Sequence, residues 1–260
     1  TRTSLGTHST PSYLVDYIVG NLADWIEEIP VNERSVFEPA CGHAAFLVSA
    51  MRLLTELLPE EKAVPSRRGP YLRNRLHGTD IDPFALELAR LSLTLTDIPN
   101  PDGWDLRVDD MFLGSALEAQ ASGNTIVLAN PPFDNFPVGQ RAEYSSRGVV
   151  LKTINKAAEV LSRTIPTLSP GSVFGFVVPQ GILHGAYAAE LRHLLTTTCE
   201  LRDITLFPDG MFSFSDAESS IILGRRTRES VGRESGVRYR RVRERQMAGF
   251  RATYATSTTR

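Results

Sequence analysis

The chain has 260 residues, 42% of them hydrophobic and 22% charged, with a formal net charge of -2. This is ordinary globular composition, long enough for one large domain or two small ones, and it excludes a protein that holds nucleic acid through overall charge. No apolar run is long enough to span a membrane and no signal peptide is visible. The two cysteines, Cys41 and Cys199, lie far apart and give neither a metal-site nor a disulfide spacing, so a cytoplasmic, reducing setting and no metal are expected. A start at Thr1 rather than Met is expected of an excised piece of a longer chain.

Thr10-Pro11 predicts the opening of a helix, with Thr as N-cap and Pro at the first helical position. Leu14, Tyr17, Ile18, Leu22, Trp25 and Ile26 then recur at helical spacing. A strand is predicted over Ser35 to Glu38 and an apolar helix from about Ala44 to Leu58. Pro59 to Pro70 reads as an exposed polar loop. A second strand ends at Asp80, and Pro83 starts a helix through Leu95. Leu106 to Val108 is a third strand, and Thr125 to Ala129, apolar almost throughout, a fourth that is buried on both faces. After a polar interruption from Asp134 to Arg147, a helix is expected from about Val149 to Leu168. Strand Ser172 to Val178, helix Gly185 to Leu195, strand Glu200 to Phe207 and strand Ser219 to Leu223 follow.

This alternation predicts an α/β, Rossmann-like, seven-stranded mainly parallel sheet flanked by helices. The last strand is antiparallel, because no helix separates the closing pair. From Arg225 onward the composition changes: eleven arginines face Glu229, Glu234 and Glu244 alone. Such an end is either a polyanion contact or a solvated, salt-bridged surface. Val237 to Arg245 alternates apolar and basic residues, as an edge strand would, and Arg240, Arg241 and Arg243 are candidate phosphate contacts.

Ligands of parallel sheets sit beyond the carboxyl ends of the strands. The first strand ends in Glu38-Pro39-Ala40-Cys41-Gly42, where small residues admit a ligand to the backbone and Glu38 supplies a carboxylate. There is no phosphate-loop Lys-Ser/Thr and no dinucleotide glycine spacing, so a cationic, phosphate-free ligand is favoured. Asp80, at the tip of the second strand, can accept from both hydroxyls of a ribose, while Asp82 before Pro83 reads as a helix N-cap. After the third strand, Asp109 or Asp110 can accept from an adenine amine, with Ile81 and Phe112 flanking the ring.

The fourth strand ends in Asn130-Pro131-Pro132-Phe133. An amine conjugated with a ring is a poor nucleophile because its lone pair is delocalised. The Asn130 side-chain carbonyl and the Pro131 backbone carbonyl are two acceptors that can take the hydrogens of such an amine; the other reading of the motif is a rigid turn after a buried strand. Pro131 and Pro132 stiffen the loop, and Phe133 offers a face on which a base can stack. Phe212 and Phe214 are candidates for the opposite face of that base.

Glu-Pro-Ala-Cys-Gly, Thr-Asp-Ile-Asp-Pro, Asp-Asp-Met-Phe and Asn-Pro-Pro-Phe together resemble the class I S-adenosylmethionine-dependent methyltransferases. More narrowly, the chain resembles the gamma group of DNA adenine N6-methyltransferases, the modification subunits and fused type II enzymes of restriction-modification systems. The resemblance runs from about Gly6 to Leu223. It implies that Thr10, Pro11, Glu38, Pro39, Ala40, Cys41 and Gly42 hold the methionine part of S-adenosyl-L-methionine. It implies the ribose at Asp80, and the adenine at Asp110, Met111 and Phe112 beside Ile81. Asn130 then borders cofactor and substrate. A catalytic domain over residues 1–228 is implied, with 229–260 a basic extension leading to a target-recognition domain. DNA, with a specificity subunit or fused recognition domain, is the implied partner. Enzymes that methylate glutamine amides or RNA bases use the same tetrapeptide type, and a non-catalytic scaffold of the same fold is a further alternative. The position of Thr10-Pro11 before the cofactor strand favours the DNA group.

Overall fold

The computed structural model describes residues 10–209, 218–228 and 236–255. The elements are α1 (Ser12–Glu28), β1 (Val36–Pro39), α2 (Ala45–Glu56), α3 (Glu60–Ala63), α4 (Pro65–Arg73), β2 (Leu76–Asp80), α5 (Pro83–Thr96) and β3 (Asp105–Val108). Next come α6 (Ala116–Ser122), β4 (Ile126–Ala129), α7 (Val138–Ser146), α8 (Lys156–Thr164), β5 (Val173–Pro179) and α9 (Gly181–His184). The chain closes with α10 (Ala189–Thr198), β6 (Cys199–Leu206), β7 (Ser219–Arg226), β8 (Arg238–Arg241) and α11 (Glu244–Ala255).

The strands form one sheet in the order β3-β2-β1-β4-β5-β7-β6-β8. β7 is antiparallel to both β5 and β6, as the missing crossover helix requires, and the other pairings are parallel. The sheet therefore has eight strands rather than seven. The eighth comes from the basic stretch: β8 pairs in parallel with β6, and Val242, Met247 and Phe250 behind it are buried in the main core. Residues 238–255 are thus part of the packed body.

Each face of the sheet carries its own core. One is built on α1, α2 and α5, with Tyr17, Leu22, Phe46, Met51 and Leu93 among its members. The other is built on α6, α8 and α10, with Leu117, Val160, Leu161 and Leu191. β4 and β5 are buried along their whole length, which is why they read as unbroken apolar runs. The six periodic positions of α1, from Leu14 to Ile26, are all buried.

Four local expectations give way. The polar stretch 59–70 contains α3, with Pro59 at its N-cap, and the start of α4, where Pro65 takes the first helical position. The interruption 134–147 contains α7, which buries Tyr144. The helix expected from Val149 begins only at Lys156, capped by Asn155, whose side chain accepts from the Ala158 N–H. Thr10 is not the cap of α1: Pro11 holds that position in an extended conformation, and the Thr10 side chain is used elsewhere. Among the described residues, no helix is long and apolar enough to cross a membrane.

Candidate active site

The sheet register brings the sequence motifs to one edge. Val36 and Phe37 pair with Ile126 and Val127, Pro39 pairs with Thr79, and Asp80 pairs with Val108. Continued to the strand tips, these registers place Ala40, Asp80, Val108 and Asn130 in one row.

The turn after β1 is shaped by its backbone. Ala40, Gly42 and Ala44 have φ values of 55°, 52° and 66°, the left-handed region that an alanine enters only under constraint. The constraint is visible on both sides: the Cys41 N–H donates to the Thr79 carbonyl at 2.8 Å, and the Gly42 N–H donates to Asp80 Oδ2 at 2.8 Å. Above Gly42 the space is open, since a Cβ built there meets no atom within 4 Å. Glu38 is 3% exposed, and its Oε2 accepts the Leu47 N–H at 3.0 Å, on the first turn of α2. Burial pushes the Glu38 carboxyl well above its ordinary value, against the opposing pull of the Leu47 and Phe46 N–H groups. Pro39 ends β1, and Cys41 is buried in the core beneath the turn. Desolvation pushes the Cys41 thiol far up, so it is a packed, inert thiol.

Asp80 accepts from two backbone groups, Gly42 N–H on Oδ2 and Asp82 N–H on Oδ1 at 2.9 Å. It thereby ties the first turn to the second. Asp82 caps α5 through the Phe84 N–H, as its place before Pro83 predicts. Ile81 beside it is 57% exposed. Asp110, rather than Asp109, carries the visible network: Oδ1 accepts the Phe112 N–H at 3.0 Å, and Oδ2 accepts the Tyr144 hydroxyl at 2.8 Å. Burial and the Asp110 charge both push the Tyr144 phenol up, so it stays a donor. Met111 is half-buried, whereas Phe112 is buried and meets Phe136 edge-on at 4.8 Å, forming the floor under this corner.

The tetrapeptide continues from β4. The Asn130 side-chain amide donates from Nδ2 to the Thr10 hydroxyl at 3.0 Å, which leaves Oδ1 as its acceptor atom. Among the described residues, no hydrogen bond is made to that oxygen. Pro131 is buried, and Pro132 and Phe133 are half-buried, with Phe133 packed on the main core. Pro11 follows as the residue from which α1 departs.

The arginine candidates separate. Arg240 is half-buried; it donates to the Tyr17 hydroxyl at 2.6 Å and lies over the Tyr17 and Phe250 rings. Tyr17 in turn bonds Asp203 and Thr205, and Arg238 pairs with the fully buried Asp203. Arg240 is therefore internal to the fold, while Arg241 and Arg243 are exposed. Phe212 and Phe214 lie outside the described residues. Among the described residues, no group of three or more His, Cys, Asp or Glu side chains comes together as a metal ion would require.

Two residues at this site carry no sequence expectation. Tyr144 was hidden in a stretch read as loop, and Asn155 in a stretch read as mid-helix. Asn155 could be found by its type, since Asn favours the N-cap and is poor inside a helix.

The sequence and the fold are similar to those of known proteins. The chain is 28% identical over 227 residues to the EcoKI type I restriction enzyme methylase subunit of Escherichia coli K12, a match covering 85% of this chain and 40% of that protein. It is 26% identical over 218 residues to the MjaIX methylase subunit of Methanocaldococcus jannaschii, covering 80% of this chain and 35% of that protein. The chain thus spans about two fifths of the curated relatives it matches. In fold it resembles the modification subunit of a putative type I restriction enzyme from Vibrio vulnificus, with a TM-score of 0.68 at 18% identity, covering 100% of this chain and 54% of that one. It likewise resembles the type ISP restriction-modification enzyme LlaBIII bound to DNA, with a TM-score of 0.72 at 16% identity, covering 98% of this chain and 22% of that one. The N-6 DNA methylase family model matches residues 1–244, nearly the whole chain, and the protein belongs to that family.

Proposed function

We propose that the protein transfers a methyl group from S-adenosyl-L-methionine to the N6 amine of an adenine turned out of a DNA duplex. The observation that carries this reading is the orientation of Asn130. Its amide nitrogen is committed to Thr10, so its carbonyl oxygen is the atom offered to the substrate. An acceptor is what a conjugated amine needs, because hydrogen bonding to its N–H groups favours a pyramidal nitrogen with an available lone pair. Asn130 Oδ1 and the Pro131 carbonyl are the two acceptors in this reading, and they offset the positive charge as it develops. Both are held in place beforehand by the strand, the prolines and Thr10. Turning the base out costs about a few kcal/mol, and stacking on Phe133 returns roughly 1–3 kcal/mol.

The residues present fit the cofactor. The open backbone at Gly42 admits the methionine end beside Thr10, Pro11 and Glu38 to Cys41. Asp80 and Asp110 each accept one N–H or O–H per oxygen, and a carboxylate oxygen has a second lone pair, so both retain capacity for ribose hydroxyls and an adenine amine. Ile81 and Met111 supply apolar surface for the ring, above the buried Phe112. When bound, S-adenosylmethionine supplies an electrophilic methyl group on a sulfonium.

The relatives are named methylase subunits of type I restriction enzymes. On that likeness the chain acts with a specificity subunit or a fused recognition domain that reads base edges, and Arg241 and Arg243 contact phosphates. The test is transfer of labelled methyl from S-adenosylmethionine to unmethylated DNA, RNA and protein extract, with Asn130→Ala alongside. Label in DNA as N6-methyladenine, lost in the variant, is the expected result. Label in protein or RNA alone would overturn the DNA reading.

A further inference from the structure

The tetrapeptide is held from behind as well as from Thr10. Asn155 is buried, at 4% exposure, just ahead of α8. Its Oδ1 accepts the Ala158 N–H at 3.1 Å and caps the helix. Its Nδ2 donates to the Phe133 carbonyl at 2.7 Å and to Asn135 Oδ1 at 3.3 Å. The surrounding backbone repeats the attachment. Phe136 N–H donates to the Ile154 carbonyl at 2.8 Å, Lys156 N–H donates to the Asp134 carbonyl at 3.1 Å, and the Lys156 ammonium meets the Asp134 carboxylate at 2.5 Å. The chain therefore leaves β4, turns through the tetrapeptide and is laid against residues 154–156. Behind them, residues 157–164 of α8 are all buried, so this anchor does not yield.

We propose that Asn155 is a positioning residue for methyl transfer: it fixes the Phe133 carbonyl, and through it the Phe133 ring and the Pro131 carbonyl, relative to Asn130. This rests on the methyltransferase reading of the site. The identity of the residue supports the assignment. As a helix cap, Asp would serve as well as Asn. Only the amide also donates, and a carboxylate here would face two oxygens, the Phe133 carbonyl and Asn135 Oδ1. The cap alone does not call for the nitrogen; the loop does.

Asn155→Asp therefore separates the two roles, keeping the cap and removing the clamp, and Asn155→Ser does the same by falling short of Phe133. Wild type and both variants are compared for kcat and KM on unmethylated plasmid DNA and for S-adenosylmethionine affinity. Backbone hydrogen exchange is followed at residues 133–136 and along α8. The expected result is a kcat about 10–100-fold lower, the loss associated with misplacing reacting groups by about 1 Å. KM and cofactor affinity stay within about twofold. Exchange accelerates at 133–136 and not in α8. Unchanged kcat in a variant whose wild type is active would overturn the proposal while leaving the methyltransferase reading intact. So would a loss of kcat accompanied by faster exchange throughout α8, which is the signature of a cap and nothing more. A wild type that labels RNA or protein and not DNA would overturn the reading itself, and this proposal with it.

Discussion

The Thr10 hydroxyl accepts a hydrogen bond from the Asn130 side-chain amide at 3.0 Å, between residues 120 apart in the chain. Thr10 is 8% exposed, so water does not readily replace it. Thr10→Val removes the acceptor at nearly constant volume and leaves the Asn130 nitrogen unsatisfied, a penalty of about 1–3 kcal/mol. We expect kcat to fall by about tenfold or more, and Thr10→Ser to retain most of it. Steady-state kinetics of the two variants decide; equal rates would remove Thr10 from the account of Asn130.

Tyr144 is expected to act on cofactor affinity. Tyr144→Phe deletes the donor to Asp110 Oδ2 and leaves the Phe112 N–H on the other oxygen. A hydrogen bond to a charged group contributes about 1.5–3 kcal/mol to order of magnitude, part of which water regains at this half-open corner. The expected consequence is a cofactor dissociation constant weaker by about three- to tenfold, read by calorimetry, together with a lower thermal stability, because Tyr144 is only 3% exposed.

Glu38 links stability to pH. Its folded pKa is raised by burial above the ordinary value of 4.5, so the folded state holds this proton more tightly than the unfolded chain does. Stability from this group is therefore highest below pH 4.5 and is lost as pH rises through the raised value. Glu38→Gln has no such titration. Relative to wild type, the Gln variant should gain stability as pH rises from 4.5, measured by denaturant unfolding at a series of pH values. A constant difference between the two proteins would contradict the shift.

The three arginines should behave differently when changed. Arg240→Met loses the bond to Tyr17 and the contact with two rings, and should cost about 1–2 kcal/mol of stability. Arg241→Glu and Arg243→Glu lie on the surface and should leave stability within about 0.5 kcal/mol. If they contact phosphate, each also lowers the slope of log affinity against log salt by about 1. Reversing all three together would confuse unfolding with lost DNA contact.

The sequence is most readable where one signal decides the outcome. β4 and β5 are unbroken apolar runs, Asp82 before Pro83 is a cap, and the strand-tip motifs meet because a parallel sheet sends its carboxyl ends to one edge. It is least readable where tertiary partners choose. Thr10 looks like a helix cap by type, yet Asn130 takes its hydroxyl. Arg240 looks like a phosphate ligand by charge, yet Tyr17, presented from α1, holds it. The helix start at Lys156 was obscured because Val149 and Leu151 are apolar as a helix would have them, while they pack onto the second core without helical backbone.

The last helix of the described chain packs on the first. Phe250 and Tyr254 of α11 meet Tyr17 at 5.2 Å and 4.9 Å, and Phe250 also meets Tyr13. α1 follows directly from Thr10, and Thr10 orients Asn130. During synthesis, a nascent chain that has already emerged past the tetrapeptide has only part of the seat on which α1 rests. Residues near 250 must leave the ribosome before that seat is whole. A chain ending before residue 250 would lack these ring contacts under α1, although no side chain of α11 belongs to the centre itself.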